Sequence, residues 1–313
     1  MEPLPSTDKV AYVFPGQGSQ MVGMGLDLYK SSVEARQTFD EADEALGFPI
    51  SKLCFEGPED KLRQTEYAQP AIMVNSIAAL RAAIKSAESP VAGNPAFVAG
   101  HSLGEYTALV AARCVDFQEA IRIVFERGRL MQEAGLGKPG GMAAVMGLDL
   151  AALEEICQET KTRISNINCP GQTIISGLKE DLAKAVALAK DKGARRTVYL
   201  GVSGAFHSHL MRPALEELAS VIDSVKFRDP IYPIIANTTA KPLEKASEIK
   251  RELVEQLCSC VRWQSSIEYM IDSGVSTFVE IGPGRVLSRL IRYIDQKVQT
   301  MNIGDTMSSP GVT

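Results

Sequence analysis

Between residues 100 and 104 the chain reads Gly100-His101-Ser102-Leu103-Gly104, a G-x-S-x-G placed after the apolar run Ala96 to Gly100 and before renewed helical periodicity. A serine hydroxyl is a poor nucleophile until a base takes its proton, and a sharp strand-to-helix turn lifts such a hydroxyl clear of its own backbone. A turn of this kind stores about 1–3 kcal/mol of strain and needs small residues on either side, which Gly100 and Gly104 supply. The pattern predicts a nucleophile elbow carried by Ser102. Histidine is the usual base, and the chain has three: His101, His207 and His209. His101 adjoins Ser102 with its side chain expected to point away, so packing or steadying the elbow is its expected role. His207 and His209 lie in the segment Ser203 to His209, and one of them is the expected base. No carboxylate stands where sequence alone makes it a third triad member. Arg127 sits in a strongly apolar helical run, Ala120 to Met131, where a guanidinium is costly to bury unless it meets an anion. Arg122 and Arg129 read as ordinary surface arginines.

The elements that must position these groups follow from periodicity. Lys9 to Phe14 is an apolar run rich in β-formers, closed by Pro15 and Gly16, with a helical pattern from about Met21 to Leu46. A helix carrying Ile72, Ile77, Leu80 and Ile84 leads through a loop at Pro90 to Pro95 to the run before the elbow. Strands alternating with helices imply a mainly parallel α/β sheet covered on both faces. After the cluster Gly135 to Gly141 the order becomes strand (Met142 to Gly147), helix (Ala151 to Glu159), strand (Arg163 to Asn168), strand (Gln172 to Ser176), helix (Glu180 to Lys192) and strand (Arg196 to Leu200). That β-α-β-β-α-β order is the ferredoxin-like unit. It reads as a small domain, residues 136–203, inserted into a large α/β domain made of 1–135 and 204–313. Beyond Gly204 come a helix, a strand at Ile231 to Ala236, two helices across Glu248 to Ser273, a strand at Thr277 to Ile281 and a helix from Val286. The tail after Asp305 reads as frayed.

Composition narrows the function. Of 313 residues, 33 are Lys or Arg and 38 Asp or Glu, giving a net charge of −5, which argues against a nucleic-acid binder. At 45% hydrophobic and 23% charged the chain has a globular composition, and its apolar runs are far shorter than the roughly 20 residues of a membrane span. The opening MEPLPSTDKVAYVF lacks the features of a signal or transit peptide, so a cytoplasmic setting is expected. The six cysteines are scattered, and the one close pair, Cys258 and Cys260, lacks the second pair a zinc site needs. Reduced, mostly buried thiols and no metal site are expected.

Seven segments, in order, resemble those of malonyl-CoA:acyl-carrier-protein transacylases and the acyltransferase domains of fatty acid and polyketide synthases. They are FPGQGSQ (Phe14 to Gln20), GHSLGEY (Gly100 to Tyr106), RGRLMQE (Arg127 to Glu133), NxNxPGQ (Asn166 to Gln172), AFHS (Ala205 to Ser208), QL (Gln256, Leu257) and EIGPG (Glu280 to Gly284). The resemblance implies an α/β-hydrolase-like large domain with a ferredoxin-like small one. It implies Ser102 as nucleophile, His207 as base, a main-chain carbonyl at Gln256 orienting that base, and an oxyanion hole from Gln17 and the N–H of Leu103. It further implies that Arg127 grips the malonyl carboxylate and that Phe206 accompanies malonyl rather than methylmalonyl selectivity. The implied activity moves malonyl from malonyl-CoA to the phosphopantetheine thiol of acyl carrier protein through a seryl ester. Fatty acid synthesis is the expected setting, with no cofactor, a monomer, and acyl carrier protein as the protein partner. The alternatives are a discrete polyketide-pathway acyltransferase, an acyl-thioester hydrolase on the same Ser/His site, and a silent scaffold that docks carrier protein. Arg285, Arg289 and Arg292, at i, i+4 and i+7, fall on one helix face that could meet an acidic carrier or the CoA phosphates.

Overall fold

Four consecutive residues of the first strand, Ala11 to Phe14, are buried, as expected of a parallel strand with helices on both faces. The computed structural model describes residues 9–86, 91 and 93–304. In chain order its first part comprises β1 (Lys9–Phe14), α1 (Leu26–Ser31), α2 (Val33–Leu46), α3 (Ile50–Glu56), α4 (Glu59–Leu62), α5 (Thr65–Lys85), β2 (Phe97–Gly100), α6 (Leu103–Ala111) and α7 (Phe117–Gly137). The middle comprises β3 (Gly140–Met146), α8 (Leu150–Thr160), β4 (Arg163–Cys169), β5 (Gln172–Leu178), α9 (Lys179–Asp191) and β6 (Arg196–Tyr199). A 3-10 turn (His209–Ala214) then opens the last part: α10 (Leu215–Ser224), β7 (Ile234–Ile235), β8 (Pro242–Leu243), α11 (Ala246–Gln256), α12 (Trp263–Asp272), β9 (Val275–Ile281), α13 (Val286–Ile294) and β10 (Gln299–Ile303).

Two sheets result. The larger runs β10-β9-β1-β2-β7-β8, parallel except for the β7–β8 pair. Its core is dominated by α5, which is apolar almost all round and buried along most of its length, packed against α7 and α2. The smaller is antiparallel, β4-β5-β3-β6, with Leu153, Ile156, Leu182 and Val186 of α8 and α9 packed against its strands. The smaller sheet is fastened back through β4, where Val261 N–H donates to Ser165 O at 2.8 Å and Ile167 N–H to Val261 O at 2.9 Å.

At the carboxyl ends of β1, β2 and β9, three loops meet at distances only glycine allows. A Cβ on Gly16 would lie 2.5 Å from His101 O, and one on Gly282 would lie 2.9 Å from Pro15 Cγ. Ligands of open α/β sheets bind outside these strand ends.

Several expected boundaries move. The helix expected from Met21 to Leu46 is two helices: Gly23 and Gly25 hold φ of +95° and +78°, and Ser32 is extended and caps α2 by accepting from Ala35 N–H. The strand expected at Ile231 to Ala236 shrinks to Ile234–Ile235, because Pro230 and Pro233 give no N–H to a ladder. Strands β8 and β10 were not expected; β10 is half exposed and carries no alternating apolar pattern. The expected loop at Pro90 to Pro95 falls partly, and the tail after Asp305 wholly, outside the described residues. Among the described residues no helix is long and apolar enough to cross a membrane, and the cysteines are free thiols.

Candidate active site

Ser102 occupies the turn between β2 and α6 with φ 53° and ψ −104°, a backbone conformation that L-residues rarely hold. The close approach behind it needs both flanking glycines: a Cβ on Gly100 would lie 1.9 Å from Gly104 C, and one on Gly104 2.0 Å from Phe14 O. Hydrogen bonds hold the turn in place. Ser102 N–H donates to Asn237 Oδ1 at 2.7 Å, and the same amide donates from Nδ2 to Gly100 O at 2.7 Å.

His207 also holds a positive φ, 55°, and brings Nε2 to 2.7 Å from Ser102 Oγ. Its Nδ1 lies 2.9 Å from the carbonyl oxygen of Gln256. A carbonyl only accepts, so Nδ1 carries the proton and Nε2 presents its lone pair to the serine hydroxyl. Burial, helped by the nearby charge of Arg127, pushes the imidazole pKa down to about 3. The resting base is therefore neutral. His209 stands elsewhere, in a groove of about 710 Å³ lined by Cys157, Arg163 and Asp181 that shares no residue with the Ser102 pocket. That groove is the larger of the two, and burial raises the pKa of its cysteine, Cys157, away from the reactive thiolate.

Arg127, on α7, is 1% exposed. Nη1 donates to Gln69 Oε1 at 2.6 Å, and Nη2 to Gln256 Oε1 at 2.8 Å and to Ser102 Oγ at 3.1 Å. The guanidinium also lies over the Tyr106 ring, 5.2 Å from its centroid, while Nε is buried without a partner. Every hydrogen-bond acceptor here is a neutral oxygen. A buried cation with an unused N–H beside the nucleophile is able to receive an anion.

The pocket above Ser102 encloses about 440 Å³ and is lined by Gln17, Leu103, Arg127, Phe206 and His207 among others. That is the size of a small-molecule site. Gln17 is steadied by Thr65, whose Oγ1 accepts from its Nε2 at 3.2 Å. Leu103 opens α6, so its N–H stands at a helix N-terminus beside the serine. Phe206 is buried on the wall. Asn166, Asn168 and Gln172 of the smaller sheet cover one side, and His101 Nε2 meets Asn168 Oδ1 at 3.0 Å while its ring packs edge-on to Trp263. His101 thus ties the elbow to the smaller sheet, in keeping with the steadying role. Val286, Leu287 and Leu290 of α13 complete the lining, and Arg289 and Arg292 on that helix are exposed, whereas Arg285, expected on the same face, precedes the helix at its N-cap with non-helical backbone. Glu280, from the end of β9, receives Leu287 N–H and Ser288 N–H at 3.0 and 2.8 Å and so caps α13.

All seven expected site residues gather here, with Gln256 directly behind the histidine and arginine. Sequence reasoning missed Asn237, Gln69, Thr65 and Glu105. For Glu105 a signal existed: it is the lone charge in the apolar helix Leu103–Ala111, and a carboxylate there must find partners. Asn237 offered none, since it follows a two-residue strand in an otherwise ordinary turn.

Comparison with known proteins agrees with this geometry. Residues 11–305 match the family described as acyl transferase domain. The malonyl CoA-acyl carrier protein transacylase of Bacillus subtilis is 44% identical over 302 residues, covering 95% of this chain and 94% of that protein. Among solved structures, the acyl-carrier-protein S-malonyltransferase of Bartonella henselae superposes with a TM-score of 0.91 at 41% identity, covering 95% of this chain and 96% of the other. A malonyl-transacylase in complex with a type II polyketide synthase acyl-carrier protein does so with a TM-score of 0.91 at 39% identity, covering 96% and 97%.

Proposed function

The chain belongs to the acyl transferase family, and from that premise we propose that it moves malonyl from malonyl-CoA to the phosphopantetheine thiol of acyl carrier protein through an ester on Ser102. The observation that carries the chemistry is the 2.7 Å contact between Ser102 Oγ and a His207 Nε2 that can only accept. His207 takes the hydroxyl proton as Oγ attacks the thioester carbonyl, and the tetrahedral oxyanion is received by Leu103 N–H and Gln17. Each such donor is worth roughly 10²–10³ in rate. Collapse breaks the C–S bond, and His207 returns the proton to the CoA sulfur. In the second half the carrier thiol gives its proton to His207, attacks the ester and releases Ser102. Arg127 receives the malonyl carboxylate with charge-assisted hydrogen bonds, and acetyl leaves that buried cation unmatched. Phe206 narrows the wall against an α-methyl branch.

We assign residues 136–203 to a ferredoxin-like small domain and the described residues of 1–135 and 204–313 to an α/β-hydrolase-like large one; the strand order β4-β5-β3-β6 supports the first assignment. The enzyme works as a cytoplasmic monomer with no cofactor and supplies fatty acid synthesis.

The test is intact mass after brief incubation of wild type and Ser102→Ala with malonyl-CoA, acetyl-CoA or methylmalonyl-CoA, chased with pantetheinylated carrier protein. A malonyl-sized adduct that requires Ser102, survives in buffer and passes to carrier supports the transferase. Discharge to water without carrier makes the protein a hydrolase, and no adduct from any donor leaves a docking scaffold.

A further inference from the structure

Behind the pocket, on the side away from substrate, the buried carboxylate of Glu105 makes contacts that the transfer chemistry does not use. Oε1 accepts Asn237 N–H at 2.9 Å, and Oε2 accepts Gln256 Nε2 at 2.5 Å. Gln256 Nε2 also donates to Ser102 O at 3.0 Å, and Gln256 Oε1 accepts from Arg127 Nη2 at 2.8 Å. The side chain of Gln256 is therefore a two-ended connector. One end faces the only-donating guanidinium, and the other donates to the only-accepting Ser102 carbonyl and to Oε2 of Glu105, a carboxyl whose pKa burial and the neighbouring Glu252 raise well above the usual range. A single amide orientation satisfies all three.

From this we propose that Glu105 is a specificity-determining positioning residue: together with the Ser102 carbonyl, its Oε2 anchors Gln256 Nε2 and so keeps the Gln256 acceptor on Arg127, aiming the guanidinium at the carboxylate of a dicarboxylic acyl donor. The proposal rests on the reading of Arg127 as the malonyl clamp. An NH2 at position 105 sets donor against donor at Gln256 Nε2 and leaves it the Ser102 carbonyl, so the repelled amide draws its Oε1 off the Arg127 guanidinium. Asn237 N–H uses the other carboxylate oxygen, so Glu105 touches both the elbow and the clamp, and the two roles separate by experiment. Loss of elbow support slows every acyl donor alike. Loss of clamp alignment slows malonyl more than acetyl.

The deciding variant is Glu105→Gln, which keeps the size of the side chain and an oxygen for Asn237 N–H but presents NH2 to Gln256. Rates of Ser102 acylation from malonyl-CoA and from acetyl-CoA are compared by quenched-flow mass spectrometry. The malonyl-to-acetyl ratio is expected to fall about tenfold, the worth of one misdirected charge-assisted hydrogen bond. An unchanged ratio, with both rates falling in step, overturns the proposal. Should Glu105→Gln not fold, Glu105→Asp, whose carboxylate stops one methylene short of Gln256, is judged by the same ratio. If neither variant folds, Glu105 serves the fold rather than selectivity and the proposal fails. The wild-type control separates this from the parent reading: a wild type that takes no malonyl refutes the transacylase itself, whereas malonyl-selective wild type beside an equally selective Glu105→Gln refutes the positioning role alone.

Discussion

Ser102 and His207 face each other at 2.7 Å from two strained turns, with φ of 53° and 55°. Each turn is backed by a group distant in sequence. Asn237 and the flanking glycines hold the first, and the Gln256 carbonyl orients the ring of the second. Reactive atoms are thus set by groups far away in sequence, and the tests below address those groups.

The low pKa of His207 sets a pH dependence. Burial holds the folded-state imidazole neutral down to about 3, against 6.5 for an ordinary histidine. The acylation rate should therefore not fall as pH drops through 6.5, since the base is already unprotonated. Stability behaves differently: below 6.5 the unfolded chain takes up a proton at His207 and the folded chain does not. This contribution to stability is present above 6.5 and is lost as pH falls toward 3. Single-turnover acylation by acetyl-CoA between about pH 5 and 8 checks the first statement. An inflection near 6.5 would show that His207 titrates normally and refute it.

Gly104→Ala probes the packing behind the nucleophile. Its Cβ would lie 2.0 Å from Phe14 O, with Phe14 in the central strand β1 and the glycine in the first turn of α6. Neither backbone can yield without moving the sheet or the elbow. Stability is expected to drop by about 3 kcal/mol or more, the upper range for overpacking. Urea unfolding of the purified variant measures it, and a drop below about 1 kcal/mol would mean that strand and helix separate easily.

Arg127→Ala is expected to lower the malonyl-to-acetyl acylation ratio by about 10²-fold, the equivalent of one or two charge-assisted hydrogen bonds. The ratio is the useful quantity. Arg127 also touches Ser102 Oγ and Gln256, so both absolute rates should fall. Competition between the two thioesters, read by mass, checks this; unchanged selectivity removes Arg127 from the clamp.

Features carried by short stretches were legible in the sequence. Gly100 and Gly104 announced the elbow because the close approach is local, and the β-α-β-β-α-β order of residues 140–199 could be read because each element has its own period. The break at Ser32 was not legible, since apolar spacing runs across it and only the cap at Ala35 reveals it. The Glu105–Gln256 contact joins residues 151 apart, and no local pattern specifies which chain segment will arrive. His207 was separable from His209 only through the family resemblance, because two residues of a loop carry the same local signal until the turn at φ 55° points one inward. The same limit applies to Asn237, whose role appears only once β7 lies beside β2.

The exposed arginines of α13 bear on the acceptor. Arg289 and Arg292 stand on the outward face of a helix whose inward residues Leu287 and Leu290 line the pocket, so a protein bound there sits near the entrance. The chain as a whole carries −5, so a local basic face is a departure that can steer an acidic partner against the general repulsion. The double variant Arg289→Glu/Arg292→Glu is expected to raise KM for carrier protein about tenfold at low salt, with the difference shrinking as ionic strength rises. Arg292 also donates to Thr300 Oγ1 at 2.9 Å, so thermal unfolding of the variant is measured alongside. Hydrolysis of the acyl-enzyme in the absence of carrier should stay as it is, because that reaction needs no docked protein. A raised KM for malonyl-CoA with carrier unaffected would assign the face to the CoA phosphates instead, and no change in either would leave it a solvated helix face.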